Sequence, residues 1–280
     1  MVAALSPSRA SDFKQCPLLY RFRVIDRLPE AASPAAARGT LVHAVLERLF
    51  DLPPTQRTPA AAAALVAPEW SRLVEQEPQL AGLLDRADGA ADAWYAEAQG
   101  LVDKWFTLED PRCLEPAERE FYIEADLDGL TLRGYVDRLD VAPDGAVRIV
   151  DYKTGRSPNE LFERASLFQM RFYALVLWRL RGAVPRMLQL VYLGDGEVIR
   201  YQPDEADLLA TERNIRALWS AIQRAADTGD WRPRTSRLCD WCDHRDRCPA
   251  WGGTPPPLPK DSADRALDPL LTGQAEPADD

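Results

Sequence analysis

Two carboxylates and a lysine stand near one another in the middle of the chain, in Gly134-Tyr-Val-Asp137 and in Asp151-Tyr-Lys153-Thr-Gly155. Asp151 and Lys153 are two residues apart on a segment with strand character, so their side chains project from the same face. Mg²⁺ and Mn²⁺ prefer oxygen ligands, and such a cation polarises a phosphodiester and lowers the pKa of a bound water. An ammonium beside them would position that water and offset charge on phosphorus. The pattern is compatible with metal-dependent phosphodiester hydrolysis.

A surface salt-bridge ladder across two strands is the simpler explanation of the same residues, but two observations count against it. The residues just before Asp151, 147–150, have the composition of a buried strand, which would carry the carboxylate inward. Lysine is also rare in this chain, because only four of its 34 basic residues are lysines. An ammonium is a compact charge that fits beside a metal ion and a water, unlike the planar guanidinium.

The elements around these residues predict an α/β (α+β) fold. Three strand-like runs, 118–127, 130–141 and 146–152, are separated by Asp128-Gly129 and by Pro143-Asp-Gly145, which are strong hairpin signals. They should form an antiparallel meander in which Asp137 can lie close to Asp151. The remaining patterns predict a helix at 161–181, strands at 186–193 and 197–201, and a long helix at 204–228.

The first part of the chain predicts helices. A helix start lies within residues 6–30, where Ser6-Pro7-Ser8 precedes the apolar positions. In the segment 38–50, one helical stripe is formed by apolar residues at positions 41, 42, 45, 46 and 49, and His43 lies at its edge. A Pro-rich linker at 51–58 leads into an Ala-rich, acidic stretch, 60–106, with two or three helices.

These motifs together resemble a known family. Gly39-Thr-Leu-Val-His43, the Gly-x-x-Asp of the second strand, Asp-Tyr-Lys-Thr-Gly, and Gln169-x-x-x-Tyr173 occur in the order seen in the PD-(D/E)XK nuclease superfamily, specifically its RecB-family exonuclease branch. The resemblance implies a restriction-endonuclease-like core, in which a mixed central sheet is flanked by helices. Its AddB-like and CRISPR-associated adaptation-nuclease-like members also carry a cysteine-ligated cluster that joins the N- and C-terminal segments.

The same resemblance implies the roles of the site residues. His43, Asp137, Asp151 and the backbone carbonyl of Tyr152 would hold Mg²⁺ or Mn²⁺, and Lys153 would be catalytic. Gln169 and Tyr173 would support the site and the DNA strand. The expected catalytic set is therefore Lys153, Asp151, Asp137, His43, Gln169 and Tyr173.

Three of the five cysteines, Cys239, Cys242 and Cys248, lie within ten residues, and Cys16 shares with Cys248 a following proline. Clustered thiols without a secretion signal suggest a metal rather than disulfides. The spacing alone leaves a zinc site, with Cys16 or with His244 as the fourth ligand, and an iron–sulfur cluster about equally open. The family resemblance favours a [4Fe-4S] cluster on Cys16, Cys239, Cys242 and Cys248, with Cys113 outside it.

The chain is acidic, with a formal net charge of -10, but the excess is local. Residues 51–130 hold 17 acidic and 6 basic side chains, and residues 250–280 hold 6 and 2. The composition therefore excludes an all-round basic coat but not a basic groove for DNA. Arginines mixed with Trp231 and Trp241 near the C-terminal cysteines suit a single-stranded track. The candidate DNA-binding residues are Arg9, Arg38, Gln169, Tyr173, Arg237 and Trp241.

We therefore expect one nuclease domain over residues 1–250, with an acidic helical insertion at 51–115, a cluster-binding segment at 239–248, and a disordered acidic tail at 251–280. Neither a membrane span nor a secretion signal is evident, which favours a cytoplasmic location. The expected activity is that of a DNA exonuclease acting on single strands or ends in repair or recombination, with a separate helicase as a conceivable partner. A structure-specific endonuclease and an inactive DNA-end-binding subunit are the alternatives.

Overall fold

A computed structural model describes residues 3–84, 90–158 and 160–267, with the side chains of 160–166 left out. Six strands form one mixed sheet, and helices cover both of its faces, which confirms the predicted fold class. The strands are β1 (Ala3–Leu5), β2 (Glu118–Leu127), β3 (Leu130–Val141), β4 (Val147–Lys153), β5 (Met187–Tyr192) and β6 (Glu197–Tyr201).

The predicted meander is confirmed, because β2, β3 and β4 pair in antiparallel order. Asp128 and Gly129 both have positive φ, 53° and 88°, as a tight turn between twisted strands requires. Beyond the meander, β4 pairs with β5 in parallel through a helical crossover, and β6 returns antiparallel beside β5. The short β1 adds a second parallel pairing, against β3.

Eight α-helices lie among the described residues: α1 (Pro7–Gln15), α2 (Pro17–Tyr20), α3 (Pro34–Leu49), α4 (Pro59–Gln76), α5 (Ala90–Leu108), α6 (Glu160–Arg181), α7 (Glu205–Thr228) and α8 (Ser262–Leu267). Side-chain oxygens of Ser6, Ser33, Thr58 and Asp204 accept hydrogen bonds from the first turns of α1, α3, α4 and α7. These caps satisfy backbone donors that a helix leaves unpaired, and they explain where the helices begin.

The two faces of the sheet have separate cores. Helices α1, α2, α6, α7 and α8 cover one face, while α3, α4 and α5 cover the other. The predicted stripe of α3 is fully buried in the second core, together with Val150 and Tyr152 of β4. Ile149 of the same strand lies in the first core, so β4 alternates between the two cores as expected for a central strand.

The helical region after α3 is tied to the sheet by a buried guanidinium. Arg138 of β3, only 1% exposed, donates two 2.8 Å hydrogen bonds to Glu109, which follows α5, and a 3.1 Å bond to Asp140. It also donates to the hydroxyl of Tyr152. Burial acts to raise the pKa of Glu109, but the hydrogen bonds and charge of Arg138 outweigh it and hold that pKa below its usual value.

The structure differs from the expected tail over residues 252–267. Helix α8 packs against the first core, and the hydroxyl of Tyr20 donates a 2.8 Å hydrogen bond to the carbonyl of Ala266. The proline and acidic content of this segment suggested disorder, but the few apolar residues of α8 are enough to pack it against the first core. The rest of the expected tail, 268–280, lies outside the described residues. In the described part of the chain, no helix combines the length and apolar character that crossing a membrane requires.

Arg138→Met should lower the free energy of unfolding by about 3–5 kcal/mol, because it leaves the buried Glu109 carboxylate without its partner. Urea unfolding measures the loss. Arg148→Met is the matched control, since Arg148 also contacts Asp140 but is a third exposed, and it should cost no more than about 1 kcal/mol. Equal unfolding midpoints for the two variants would contradict this account of the anchor.

Candidate active site

One open cleft collects the catalytic residues expected from the sequence. Helix α3 supplies His43, β3 supplies Asp137, and the end of β4 supplies Asp151 and Lys153. Gln169 and Tyr173 reach the same cleft from α6. Residues that are more than 100 positions apart in the chain are therefore brought together at the end of the meander, as the motifs predicted.

His43, Asp137 and the backbone of Tyr152 form the tightest group. Nε2 of His43 lies 2.9 Å from the carbonyl oxygen of Tyr152, and its Nδ1 lies 3.5 Å from Oδ2 of Asp137. The amide of Tyr152 donates a 2.7 Å hydrogen bond to the same carboxylate. The strand-end backbone thus orients Asp137 and also presents an oxygen to His43.

Glu120 of β2 joins this group and was missed at the level of sequence. Ligand atoms of His43, Glu120 and Asp137 all lie within 4.8 Å of one another. Arg119 pairs with Arg138 and Phe121 pairs with Val136, so Glu120 lies opposite Asp137. Glu120 and Asp137 are the same number of residues from the Asp-Gly turn, so counting outward from that turn along both strands would have identified Glu120. Its φ of 42° is rare for a residue with a side chain, which is typical of functional sites.

Negative charge is concentrated here, and Lys153 and Arg138 balance only part of it. Burial raises the pKa of Asp151 to about 6, with Asp137 adding to the effect and Lys153 opposing it. Burial is also the main cause of the raised pKa of Asp137. The pKa of Glu120 is raised by burial and then by the charges of Asp137, Glu47 and Asp151. Buried carboxylates that repel one another are an environment in which a bound cation is favourable.

The residues fit a hard divalent cation. Oδ2 of Asp151 is buried, and its ion-pair partner is the Lys153 ammonium, with Nζ 3.2 Å away. Octahedral Mg²⁺ has bonds of about 2.1 Å, so neighbouring ligand atoms are about 3 Å apart. The 2.9 Å contact between His43 Nε2 and the Tyr152 carbonyl oxygen is a hydrogen-bond distance, and it brings the two atoms close enough together to share a cation of that size. One imidazole with several oxygens is a donor set that Mg²⁺ and Mn²⁺ accept.

A chain of polar contacts positions Lys153. Its Nζ donates a 3.0 Å hydrogen bond to Oε1 of Gln169, and Nε2 of Gln169 donates a 3.2 Å bond to the hydroxyl of Tyr173. The ring of Tyr173 packs so closely on β3 that a Cβ at Gly134 would lie 2.6 Å from it. The glycine of the Gly-x-x-Asp motif therefore makes room for Tyr173.

Helix α4 of the acidic region forms part of the cleft wall. Arg72 and Gln76 of α4 and Arg48 of α3 line the cleft together with the metal-site residues. Both guanidiniums lie beside Glu69, at 3.4 Å for Arg72 and 3.8 Å for Arg48, and Glu69 is only 4% exposed. A region that is acidic as a whole thus presents basic groups to the cleft.

The four cysteines expected to act as ligands line a second pocket, between α2 and the C-terminal segment. Backbone amides of Arg234 and Ser236 donate to the sulfurs of Cys16 and Cys239, at 3.3 and 3.4 Å. In the described residues, no three thiol sulfurs approach within 4.8 Å of one another. Zinc bonds of about 2.3 Å would place four sulfurs about 3.8 Å apart, so the arrangement is wider than a single zinc ion needs.

His244 and Cys113 do not belong to that sulfur set. His244 lines the pocket, but its Nε2 lies 2.8 Å from a carboxylate oxygen of Glu30, and its ring packs edge-on against Phe22. Cys113 is exposed in a turn after α5, with its sulfur 3.9 Å from Asp110. The sequence left His244 open as a zinc ligand, and its contact with Glu30 accounts for its burial without a metal.

The expected DNA-binding residues do not form one surface. Arg9 is buried in α1, and Arg38 forms an ion pair with Glu97 of α5. Arg237 is exposed and Trp241 is 78% exposed, both near the cysteine pocket rather than the cleft. Trp231, expected beside them, is instead buried and stacks on Tyr20 in the first core, because its large ring fills a gap against α1 and α2.

Comparison with known proteins supplies the family. The model of the PD-(D/E)XK nuclease superfamily matches residues 4–249. Among curated proteins, the Gene 69 protein of Mycobacterium phage D29 is 28% identical over 190 residues, which cover 61% of this chain and 68% of the phage protein. The Gene 69 protein of Mycobacterium phage L5 is 24% identical over 172 residues, or 59% of this chain. The same match spans 57% of the length of the L5 protein.

A solved structure has a similar fold. The crystal structure of a protein from Eubacterium rectale, provisionally named an exonuclease, superimposes with a TM-score of 0.56 at 15% identity. The match covers 86% of this chain and 88% of that one. At this identity, the likeness concerns the fold.

Asp137→Asn should weaken Mn²⁺ binding at least about tenfold, because it removes a charged ligand from the group around His43. Isothermal titration calorimetry of the metal-free protein measures the affinity, and a thermal melt checks that the variant folds. Asp144→Asn, in the exposed turn between β3 and β4, is the control and should bind as the wild type does. Unchanged affinity in Asp137→Asn would place the cation elsewhere.

Proposed function

Because the chain belongs to the PD-(D/E)XK nuclease superfamily, we propose that it hydrolyses DNA phosphodiester bonds with Mg²⁺ or Mn²⁺, as an exonuclease of the RecB-family branch that acts on single strands or ends. The observation that carries this proposal is the meeting of His43, Asp137 and the Tyr152 carbonyl beside the Asp151–Lys153 ion pair. The proposed setting is DNA repair or recombination in the cytoplasm, and the proposed partner is a separate helicase.

Each side chain has a task that follows from its contacts. His43, Asp137, Asp151 and the Tyr152 carbonyl would hold the cation, with Glu120 adjacent. The cation, when bound, polarises the phosphodiester and lowers the pKa of a water. Lys153 offsets the negative charge that develops on phosphate oxygens, and Gln169 fixes the ammonium at the position where that charge forms. Tyr173 holds Gln169 in turn and is a positioning residue.

The cleft is suited to a polyanion despite the acidity of the chain. Arg48 and Arg72 present guanidiniums on the wall formed by α3 and α4, and Gln76 adds an amide. Arginine binds phosphate oxygens in a planar, two-pronged geometry. The buried carboxylate of Glu69 holds both arginines at the wall, where DNA phosphates would pass on their way to Lys153.

The exonuclease mode is supported by the name of the Eubacterium rectale protein and by the RecB-like motifs. A structure-specific endonuclease would use the same residues, so the mode has to be tested with closed circles. An inactive DNA-end-binding subunit is less favoured, because His43, Asp137, Asp151 and Lys153 all stand in one cleft. We also propose that residues 1–250 act as one nuclease domain with an inserted helical region at 51–115.

A [4Fe-4S] cluster on Cys16, Cys239, Cys242 and Cys248 is the proposed second cofactor. Support comes from the shared pocket and from the amide donors to two of the sulfurs. Gly253 packs so tightly on the loop before Cys248 that a Cβ would lie 2.3 Å from the carbonyl oxygen of Asp246. Since Cys16 is more than 220 residues from the others, the cluster would join the two ends of the fold.

Lys153→Ala should lower the cleavage rate of linear single-stranded DNA about 10²- to 10³-fold, because the charge that develops on the phosphate oxygens is no longer offset. The assay uses end-labelled linear and closed circular DNA with Mg²⁺ or Mn²⁺. Lys104→Ala, which changes an exposed lysine of α5, is the control and should retain the wild-type rate. Wild-type protein without cleavage, or undiminished cleavage by Lys153→Ala, would contradict the proposal. Cutting of closed circles would establish the endonuclease mode instead.

Protein purified without oxygen should be brown and contain about four iron atoms and four sulfides per chain. Cys16→Ser should lose iron and show a lower melting temperature, since the cluster joins distant segments. Cys113→Ser, which changes the exposed cysteine outside the pocket, should keep its iron. A colourless protein with one zinc ion per chain would exclude the cluster.

A further inference from the structure

Two tyrosines form an exposed pair on the hairpin that carries the metal site. Tyr122 of β2 and Tyr135 of β3 are cross-strand partners, with ring centroids 5.2 Å apart and ring planes inclined by 56°. They are 42% and 49% exposed. Most large aromatic side chains of this protein are buried, and exposed aromatic groups that lie together are typical of binding surfaces.

The pair lies next to the proposed metal ligands. Tyr135 lines the cleft together with Asp137, which follows it by two residues on β3, a distance of about 7 Å along the strand. The Tyr122–Tyr135 pair is therefore two rungs from the Glu120–Asp137 position, with the Phe121–Val136 pair between them. A nucleotide whose phosphate is at the metal site would have its neighbour's base within reach of these rings.

The polar groups around the pair leave its aromatic surface available. The hydroxyl of Tyr122 donates to Glu124, so this ring is held by its edge. Arg48 and Arg72 line the same cleft as Tyr135, and their guanidiniums suit phosphates rather than bases. The cleft thus offers cationic groups from α3 and α4 and an aromatic ring from β3, with Tyr122 beside that ring.

We propose that Tyr122 and Tyr135 form a stacking platform for an unpaired base of single-stranded DNA, next to the phosphate at the metal site. The inference rests on the proposed nuclease function and deepens it by naming the residues that would hold an unpaired base. Stacking needs a base whose face is free, so a single strand or a frayed end can use the platform, while a base inside an intact duplex cannot. The tyrosines are binding residues and take no part in bond cleavage.

The direct test is DNA affinity of the double variant Tyr122→Ala/Tyr135→Ala. Fluorescence anisotropy with a labelled oligothymidylate and Ca²⁺ measures binding without requiring cleavage. Affinity should fall at least about fivefold relative to wild type, because stacking on one or more bases is lost. The double variant Tyr122→Phe/Tyr135→Phe keeps both rings and should bind within about twofold of wild type.

Two substrates separate stacking from a structural role of the pair. An oligodeoxynucleotide of the same length without bases should bind the wild type and the alanine variant equally, since it offers nothing to stack. A blunt duplex should likewise show less than about a twofold difference. An equal loss of affinity for all three substrates would overturn the proposal, and so would an unchanged affinity for oligothymidylate. The second result would indicate that the tyrosine pair binds another partner, such as a protein.

The outcome is distinguishable from failure of the nuclease function. Mn²⁺-dependent cleavage of the oligodeoxynucleotide without bases reports on the metal site with no ring to stack, and the alanine variant should match the wild type there. If the wild type binds oligothymidylate through the tyrosines but hydrolyses neither substrate, the platform stands and the proposed nuclease function fails. If both proteins hydrolyse DNA equally and bind it equally, the platform fails and the nuclease function stands.

Discussion

The crowding of carboxylates in a site withdrawn from water is the constraint on which the rest of this structure depends. Asp137, Asp151 and Glu120 meet at the end of the meander, where burial is the main cause of the raised pKa of each, and neighbouring carboxylates add to it at Asp151 and Glu120. Lys153 is the ammonium in contact with Asp151, and it balances only part of this charge. Such an arrangement costs folding free energy unless a cation is present, so the surrounding fold has to hold it in place.

Contacts from several elements of the fold hold these carboxylates in place. Beneath them, Arg138 locks β3 to Glu109 and to the Tyr152 hydroxyl, so the two strands that bear the carboxylates share one buried guanidinium. Tyr173 of α6 packs against Gly134, and Gln169 of the same helix is hydrogen-bonded to both Tyr173 and Lys153. Glu69 keeps arginines of α3 and α4 at the wall of the same cleft. The acidic helical region therefore contributes to the cleft, although its many acidic residues also account for much of the negative net charge of the chain.

Much of this arrangement was predictable, because the signals are local. The Asp128-Gly129 turn determined the pairing of β2 with β3, and the apolar stripe of α3 placed His43 at the border of a buried face. Features that depend on packing between distant segments were not predictable. Trp231 resembles a nucleic-acid contact in sequence but fills the first core, and residues 252–267 have the composition of a tail but seat α8. Glu120 and the tyrosine pair lie between these cases, since counting from the hairpin turn would have placed them beside Asp137.

The central claim is that the concentrated charge exists to hold a divalent cation. Anomalous diffraction from crystals of the wild-type protein soaked in Mn²⁺ tests it most directly. The account predicts an anomalous peak in the cleft, in contact with His43, Asp137, Asp151 and the carbonyl oxygen of Tyr152. Manganese bound only elsewhere, with the carboxylates of Asp137 and Asp151 still in their metal-free contacts, would contradict it.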